Sequence, residues 1–425
     1  MERLHSALLK EEVFRDQLPN GLQVYLLRKA GYHRSYATVA TRYGSTDSRF
    51  VPAGAAEPLD VPPGIAHFLE HKLFEEEGGS VFDRFAERGA SANAFTSYTL
   101  TAYLFSCTEA FHENLRLLLN FVGRPYFTDE LVEKEKGIIE QELKMYDDHP
   151  DRVLVRNLLE ALYHRNPVRI DIGGTVESVR QITKEQLSTC YATFYHPSNM
   201  VLFAAGDLDP QETLRVVRET ASDGSPRGEI RRFYPEEPPA VRERRVEQRM
   251  AVSRPRYALG LKDTATGFTG EDLMRREIAH NMLLHMVLGR SSEAYQRLYE
   301  EGLIDDGFSA YYTASPLYGH AILGGETDDP DRLHDELTRI LERFRRDGFP
   351  DADFRRAKRQ AMGEFLNGFN SLEFIAHSFV SYHFRQANFF RYLEIVQEMP
   401  PEELRAHAEG LLDLERSSVS VVRPR

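Results

Sequence analysis

Residues 62–79, PPGIAHFLEHKLFEEEGG, place two histidines and a glutamate inside an otherwise apolar run: His67, Glu70 and His71. On an α-helix turning about 100° per residue, His67 and His71 lie about 40° apart and one turn removed, which is the separation two imidazoles need to ligate one metal ion. Glu70 falls about 60° from His67 and about 100° from His71, beside the ligand pair rather than in line with it. A carboxylate there is placed to accept a proton from water. The neighbours Ile65, Ala66, Phe68, Leu69, Leu73 and Phe74 are apolar, so the helix is expected to be buried. Its polar stripe must then face a cavity, a metal or polar partners, because unpaired buried charge is costly. A hydrogen-bonded His/Glu network on a core helix is the competing reading, since a His-x-x-acid-His pattern arises by chance roughly 0.08 times per chain of this composition. The Pro62-Pro63-Gly64 entry and the apolar surroundings weigh toward a metal.

A mononuclear catalytic centre needs a third protein ligand and leaves its fourth position to water. No further histidine is close in sequence, so that ligand must come from a distant element. The segment DELVEKEKGIIEQELKMYDDHPD offers Glu133, Glu135, Glu140 and Glu142. Glutamates on such a helix are ordinarily solvated, and spacing alone does not choose among these four.

The elements that must position these groups follow from periodicity. Asn20-Gly21 beside the run LQVYLL marks a hairpin, and SYATVATRYG (35–44) reads as a strand. VFDRFAERGASANAFTSYTLTAYLFSCT reads as a helix, a turn and two strands, EAFHENLRLLLNFV (109–122) as a helix, and Thr128 to about Leu162 as one long helical run. The Gly-Gly of GGTVESV (173–179) reads as a turn before a helix, and EEEGG (75–79) as a solvated helix end. NMVLFAAGDLD is a short apolar strand. Gly, Pro and charge then crowd residues 222–245, the profile of a linker.

The second half repeats the first in order. FDRFAERG (82–89) aligns with YQRLYEEG (295–302) at an offset of 213, TAYLFSCT is answered by GHAILGGET, and EAFHENLRLLLNFV by DRLHDELTRILERF. FTDELVEKEKGIIEQE (127–142) pairs without a gap with FPDADFRRAKRQAMGE (349–364) at an offset of 222. The expected fold class is therefore α+β, two homologous domains, each a sheet covered by helices: 1–221, a linker at 222–245, and 246–425. At the offset of 213, His67 meets His280, but Glu70 meets Leu283 and His71 meets Leu284. The scaffold thus exists in a second copy without the polar cluster.

Composition excludes several classes. A net charge of −13 argues against a phosphate-backbone binder, so no nucleic-acid partner is expected. The N-terminal residues scatter their charges and lack an export-signal core, and no apolar run reaches the length of a membrane helix. A cytoplasmic protein without a membrane partner is expected. Cys107 and Cys190 are too few for a disulfide framework and read as small core residues.

HFLEH, then GASANAFTSYTLTAYLF, EKEKGIIEQE, DIGGTVESVRQITKEQL and FYHPSNMVLFAAGDLD resemble, in order, the pitrilysin/insulinase metallopeptidases, the inverted zincins with H-x-x-E-H. The likeness spans nearly the whole first half and continues more faintly through the second; it is greatest for the short bacterial branch related to processing peptidases. It implies the clamshell halves of that family, one Zn2+ per chain held by His67, His71 and Glu142, Glu70 as general base, and Glu135 as a supporting carboxylate in the family's Glu-x6-Glu pattern. Asn93, Ala94 and Phe95 match the strand segment on which family members pair an extended peptide substrate.

One departure stands out against this resemblance. Active members carry Arg-x6-Tyr in the domain facing the zinc, whereas this chain has Tyr299 and Asp306 at those places, with Arg297 out of register. The resemblance then implies the catalytic subunit of a heterodimer, whose related partner lacks zinc and completes the substrate site. A homodimer in which Arg290, Arg297, Tyr311 or Tyr312 substitutes is a second arrangement. The alternative from another class is a non-catalytic binding or assembly subunit that keeps the peptidase fold.

Overall fold

The computed structural model describes residues 1–6, 8–77, 79–222 and 224–425; Gly78 of the EEEGG run and Asp223 of the Gly/Pro-rich segment lie outside the described residues. The chain divides into two compact units, Met1–Leu143 with Asp171–Phe233 and Gly368–Phe384, and Lys144–Ile170 with Tyr234–Asn367 and Arg385–Arg425.

The first unit is built on a seven-stranded mixed sheet: β1 (Glu2–Ser6), β2 (Glu11–Gln17), β3 (Gln23–Arg28), β4 (Ser35–Thr41), β5 (Ala90–Thr96), β6 (Thr101–Cys107) and β7 (Met200–Gly206). The order is β1-β2-β3-β7-β4-β6-β5. The apolar run MVLFAAG becomes the central β7, buried at every position, parallel to β3 and antiparallel to β4. Such a strand, covered on both faces, needs no alternation in its sequence. The hairpin at Asn20-Gly21 joins β2 to β3; Gly21 has φ 95°, and a Cβ on it would lie 2.7 Å from Ser198 Cβ. At the other side of the sheet β5 is an edge strand, bonded among the described residues to β6 alone.

The histidine helix spans Ile65–Leu73 and buries Phe68 and Leu69 completely. It starts from Gly64 at φ 91°, where a Cβ would lie 2.3 Å from the Gly173 carbonyl oxygen. The Pro-Pro-Gly entry and the Gly173-Gly174 turn therefore pack backbone against backbone, a closeness only glycine permits. The EEEGG run is not a frayed helix end: Glu75–Glu76 pair with Gly79–Ser80 as a small antiparallel ladder. Glu75 is drawn inward by Lys72 and Glu76 is held by Arg84 at 2.7 Å.

The helical run from Thr128 breaks in two, Asp129–Asp147 and Pro150–Leu162. Pro150 is the cause. Its ring pushes the preceding residue out of helical space, and His149 is extended at ψ 108°, while Pro itself suits the first turn of the next helix.

The second unit carries β8 (Arg245–Met250), β9 (Arg256–Asp263), β10 (Ser309–Ser315), β11 (Tyr318–Glu326) and β12 (Ser417–Pro424) in the order β8-β12-β9-β11-β10. The first unit repeats this as β3-β7-β4-β6-β5, with the same parallel pair, β8 beside β12 and β3 beside β7. Two homologous sheet-and-helix domains are thus present, the first with an added hairpin.

The two copies also exchange one helix. Pro150–Leu162 packs on β9 and β12 of the second unit, and Leu372–Phe384, its counterpart at the offset of 222, packs on β7 and β4 of the first. The division at 222–245 drawn from composition differs from the compact units in these two helices. Within that segment, Val51 N–H donates to Arg231 O at 3.0 Å and Phe233 N–H to Arg49 O at 2.9 Å, so residues to Phe233 belong to the first unit.

Candidate metal centre

Two helices of the first unit supply the site. His67 and His71 rise from Ile65–Leu73 with ring centroids 4.6 Å apart, and Glu142 comes from Asp129–Asp147. Glu142 Oε2 lies 3.9 Å from His67 Nε2 and 3.5 Å from His71 Nε2. One donor atom from each of the three fits within 4.8 Å, the only such trio of His, Cys, Asp or Glu donors among the described residues. Two neutral imidazoles and one carboxylate are the donor set of a catalytic zinc with an open fourth position, so the residues present fit that ion.

Around the three donors each remaining residue singled out in the sequence has a definite place. Glu135 is buried and accepts a hydrogen bond from His71 Nδ1 at 3.0 Å. A carboxylate cannot donate, so Nδ1 carries the proton and Nε2 is left with its lone pair toward Glu142. Burial alone would raise the Glu135 carboxyl, but the His71 hydrogen bond and the Lys72 ammonium outweigh it and hold the group below the ordinary range. His71 is lowered by burial and raised more strongly by Glu135, Glu70 and Glu142. Glu70 accepts the Thr96 hydroxyl on Oε2 at 2.7 Å, and burial pushes its carboxyl above the usual value despite that hydrogen bond. Of the other glutamates on the helix, Glu140 pairs with Arg180 at 2.7 Å and Glu133 with Lys136 at 2.6 Å.

Asn93, Ala94 and Phe95 sit on β5, opposite Leu104, Tyr103 and Ala102 of β6, with no ladder on the other side of the strand among the described residues. Thr96, which holds Glu70, ends the same strand. The Phe95 ring packs 4.8 Å from His377.

Three contributors escape a reading of the sequence by motif. Thr96 carries no signal beyond its place in a strand. Lys72 does carry one: it stands four residues after Phe68 and three after Leu69, on the face that the helix buries, and it is 0% exposed. Gly173, read as a plain turn residue, stands where a Cβ would be 3.7 Å from His67 Nδ1 and 2.9 Å from Leu143 Cδ2.

In the second unit His280, aligned with His67 at the offset of 213, is fully buried among Tyr312 and His407, and neither ring nitrogen makes a hydrogen bond among the described residues; the histidine that meets Glu364, the counterpart of Glu142, is His285 at 3.9 Å. Leu283 and Leu284 are core. Tyr299 is 46% exposed, Arg290 donates to the Asp306 carbonyl at 2.9 Å, and Arg297 pairs with Glu336 at 2.9 Å. Tyr312 is committed to Asp263 at 2.6 Å, whereas Tyr311 is exposed.

A duplicated sheet-and-helix scaffold with two histidines and a glutamate converging in one copy defines the class of a metallopeptidase fold. The sequence model for insulinase (peptidase family M16) matches residues 44–176, and that for the peptidase M16 inactive domain matches residues 181–361. An uncharacterized zinc protease of Bacillus subtilis, YmfH, is 43% identical over 98% of each chain. The crystal structure of an M16-like chain from Alicyclobacillus acidocaldarius superposes with a TM-score of 0.95 at 43% identity, covering 99% of this chain and 100% of that one. Pitrilysin shares the fold at a TM-score of 0.75 and 14% identity, this chain covering 46% of its length. The protein belongs to the insulinase/pitrilysin (M16) peptidase family.

Proposed function

We propose that this chain is a zinc-dependent metalloendopeptidase that hydrolyses peptides or short unfolded segments in the cytoplasm. The observation that carries the reading is the convergence of His67 Nε2, His71 Nε2 and Glu142 Oε2, with the Glu70 carboxylate alongside. Bound there, zinc supplies Lewis acidity, which acidifies water and polarises a carbonyl. The chain's own residues do the rest. His67, His71 and Glu142 bind the ion, and Glu135 fixes the His71 ring through Nδ1–H. Glu70 takes the proton of the attacking water and returns it to the leaving amine; burial raises its carboxyl pKa, which makes it a stronger base than an exposed glutamate. Thr96 donates to Oε2 of Glu70 and orients the carboxylate. The unladdered side of β5 offers main-chain donors and acceptors to an extended peptide at Asn93, Ala94 and Phe95.

The same reading makes this chain one subunit of a pair, the partner a related chain without the zinc motif. Tyr299 and Asp306 stand where the family's Arg and Tyr are expected, Arg297 is held by Glu336, and Tyr312 is held by Asp263. Those substitutions also favour the second reading, a binding or assembly subunit that has kept the fold and lost proteolysis. Zinc content and cleavage of a quenched peptide, measured on the purified chain and on Glu70→Gln, separate the readings. About one zinc in both, with cleavage by the unaltered chain alone, supports a peptidase that needs no partner. Zinc without cleavage leaves the half-site or the binding subunit, and a chain that takes up no zinc refutes the peptidase reading.

A further inference from the structure

We infer that Lys72 is a positioning residue of the metal centre: its buried ammonium staples the histidine helix to the glutamate helix and fixes Glu135, and through it His71, in ligating orientation. The inference rests on the reading that His67, His71 and Glu142 hold zinc.

The Lys72 side chain is 0% exposed. A lysine buried to that degree is disfavoured unless its charge and donors are met, and here they are met from two directions. Glu75, just beyond the histidine helix, receives one hydrogen bond. The glutamate helix supplies the rest: the Leu131 carbonyl oxygen accepts from Nζ at 3.2 Å, and Glu135 Oε2 lies 3.6 Å away. Leu131 stands one turn before Glu135, and Glu135 two turns before Glu142, so Lys72 grips the helix that delivers the third donor at two points. The two Glu135 oxygens are divided, Oε1 to His71 Nδ1 and Oε2 toward Lys72. With only the His71 contact the carboxylate could rotate about its terminal torsion, which has broad wells; the ammonium on the other oxygen removes that freedom.

The second copy of the fold joins the corresponding helices by other means. At the offset of 213 Lys72 meets His285, and at 222 Glu135 meets Ala357, while the corresponding helices Gly270–Leu288 and Asp351–Gly368 are both formed. There His285 joins the two helices, 3.1 Å from Gln360 and 3.9 Å from Glu364, so the second pair forms without a buried lysine–carboxylate contact, which is present in the copy that carries the metal donors. Neighbours that orient zinc ligands typically contribute about 10- to 100-fold to metal affinity.

The test is zinc affinity of the full-length chain by competition with a chromophoric chelator, for the unaltered protein, Lys72→Met, Glu135→Gln and the double variant, with thermal unfolding of each metal-free form. Lys72→Met is expected to weaken zinc binding about 10- to 100-fold, while the double variant binds no more weakly than Glu135→Gln, because Lys72 acts through Glu135. Metal-free Lys72→Met is expected to unfold cooperatively. Should it not, Lys72→Met/Glu135→Leu, which leaves neither member of the pair buried alone, replaces it and is expected to match Glu135→Leu in affinity. Unchanged affinity in Lys72→Met, or losses that multiply in either double variant, overturns the inference while leaving the zinc site standing. An unaltered chain that binds no zinc overturns both.

Discussion

His320 gives the chain a calculable sensitivity to acid. It lies on β11, 3% exposed, with Nδ1 2.9 Å from the Tyr163 hydroxyl, which itself donates to the Gly319 carbonyl at 2.9 Å. The imidazole is therefore the donor to Tyr163. Burial lowers its pKa from 6.5 to about 4. A folded pKa below the unfolded one means that the unfolded chain binds the proton first, so the contribution is complete above pH 6.5 and is lost as pH falls toward 4. At about 1.4 kcal/mol per pH unit, the full loss is about 3 kcal/mol, of which about 2 kcal/mol falls between pH 7 and pH 5. His320→Gln removes the titration and keeps an N–H for Tyr163. Urea unfolding followed by circular dichroism, with a chelator present so that metal binding adds no pH dependence, should show the unaltered chain losing about 2 kcal/mol more than the variant over that interval. Other buried histidines, including His383 at about 4, are common to both proteins and cancel. Parallel stability curves for the two proteins between pH 7 and 5 would refute the reasoning.

Three further outcomes are expected. Thr96→Val should lower kcat about 10- to 100-fold, the worth of a hydrogen bond to a charged group, with KM little changed and Thr96→Ser restoring the rate; an unaltered kcat in the valine variant contradicts the orienting role. Gly64→Ala should destabilise the first unit by about 2 kcal/mol or more, because a methyl group there meets the Gly173 carbonyl at 2.3 Å and the residue must keep φ 91°; a melting temperature equal to that of the unaltered chain would rule out the close packing. His280→Leu should leave stability unchanged or raise it by about 1 kcal/mol, since two buried ring nitrogens without hydrogen bonds are removed, and a marked loss in urea unfolding would show that the imidazole is structurally required.

The duplication was legible because its signals are local and repeated: the same periodicities return at fixed offsets, and β3-β7-β4-β6-β5 and β8-β12-β9-β11-β10 realise them with one topology. His67, Glu70 and His71 were legible for a related reason, being neighbours on one helix. Spacing did not choose Glu142 from the other glutamates of its helix, because that choice depends on how two helices cross. Thr96 and Gly173 reach the site through contacts between segments far apart in the chain, which no periodicity records. The single helical run expected to Leu162 failed at Pro150, a local breaker overlooked within a longer apolar rhythm. Which sheet a helix covers is decided by tertiary packing, so the exchange of Pro150–Leu162 for Leu372–Phe384 left no mark in composition.

That exchange governs the order in which the chain can be finished during synthesis. The sheet of the first unit is complete in sequence at Gly206, yet the helix that covers β7 and β4 does not leave the ribosome until after residue 384. While residues 207–384 are being made, the face of the nascent sheet that this helix covers lacks it, and Pro150–Leu162 waits for strands not yet made. A chain ended between the two copies would lack the helix that covers β7 and β4 and the strands on which Pro150–Leu162 packs, so neither half contains all of its own compact unit. Their maturation depends on the complete polypeptide, and a nascent chain stalled before residue 384 is the form most exposed to aggregation and to capture by chaperones.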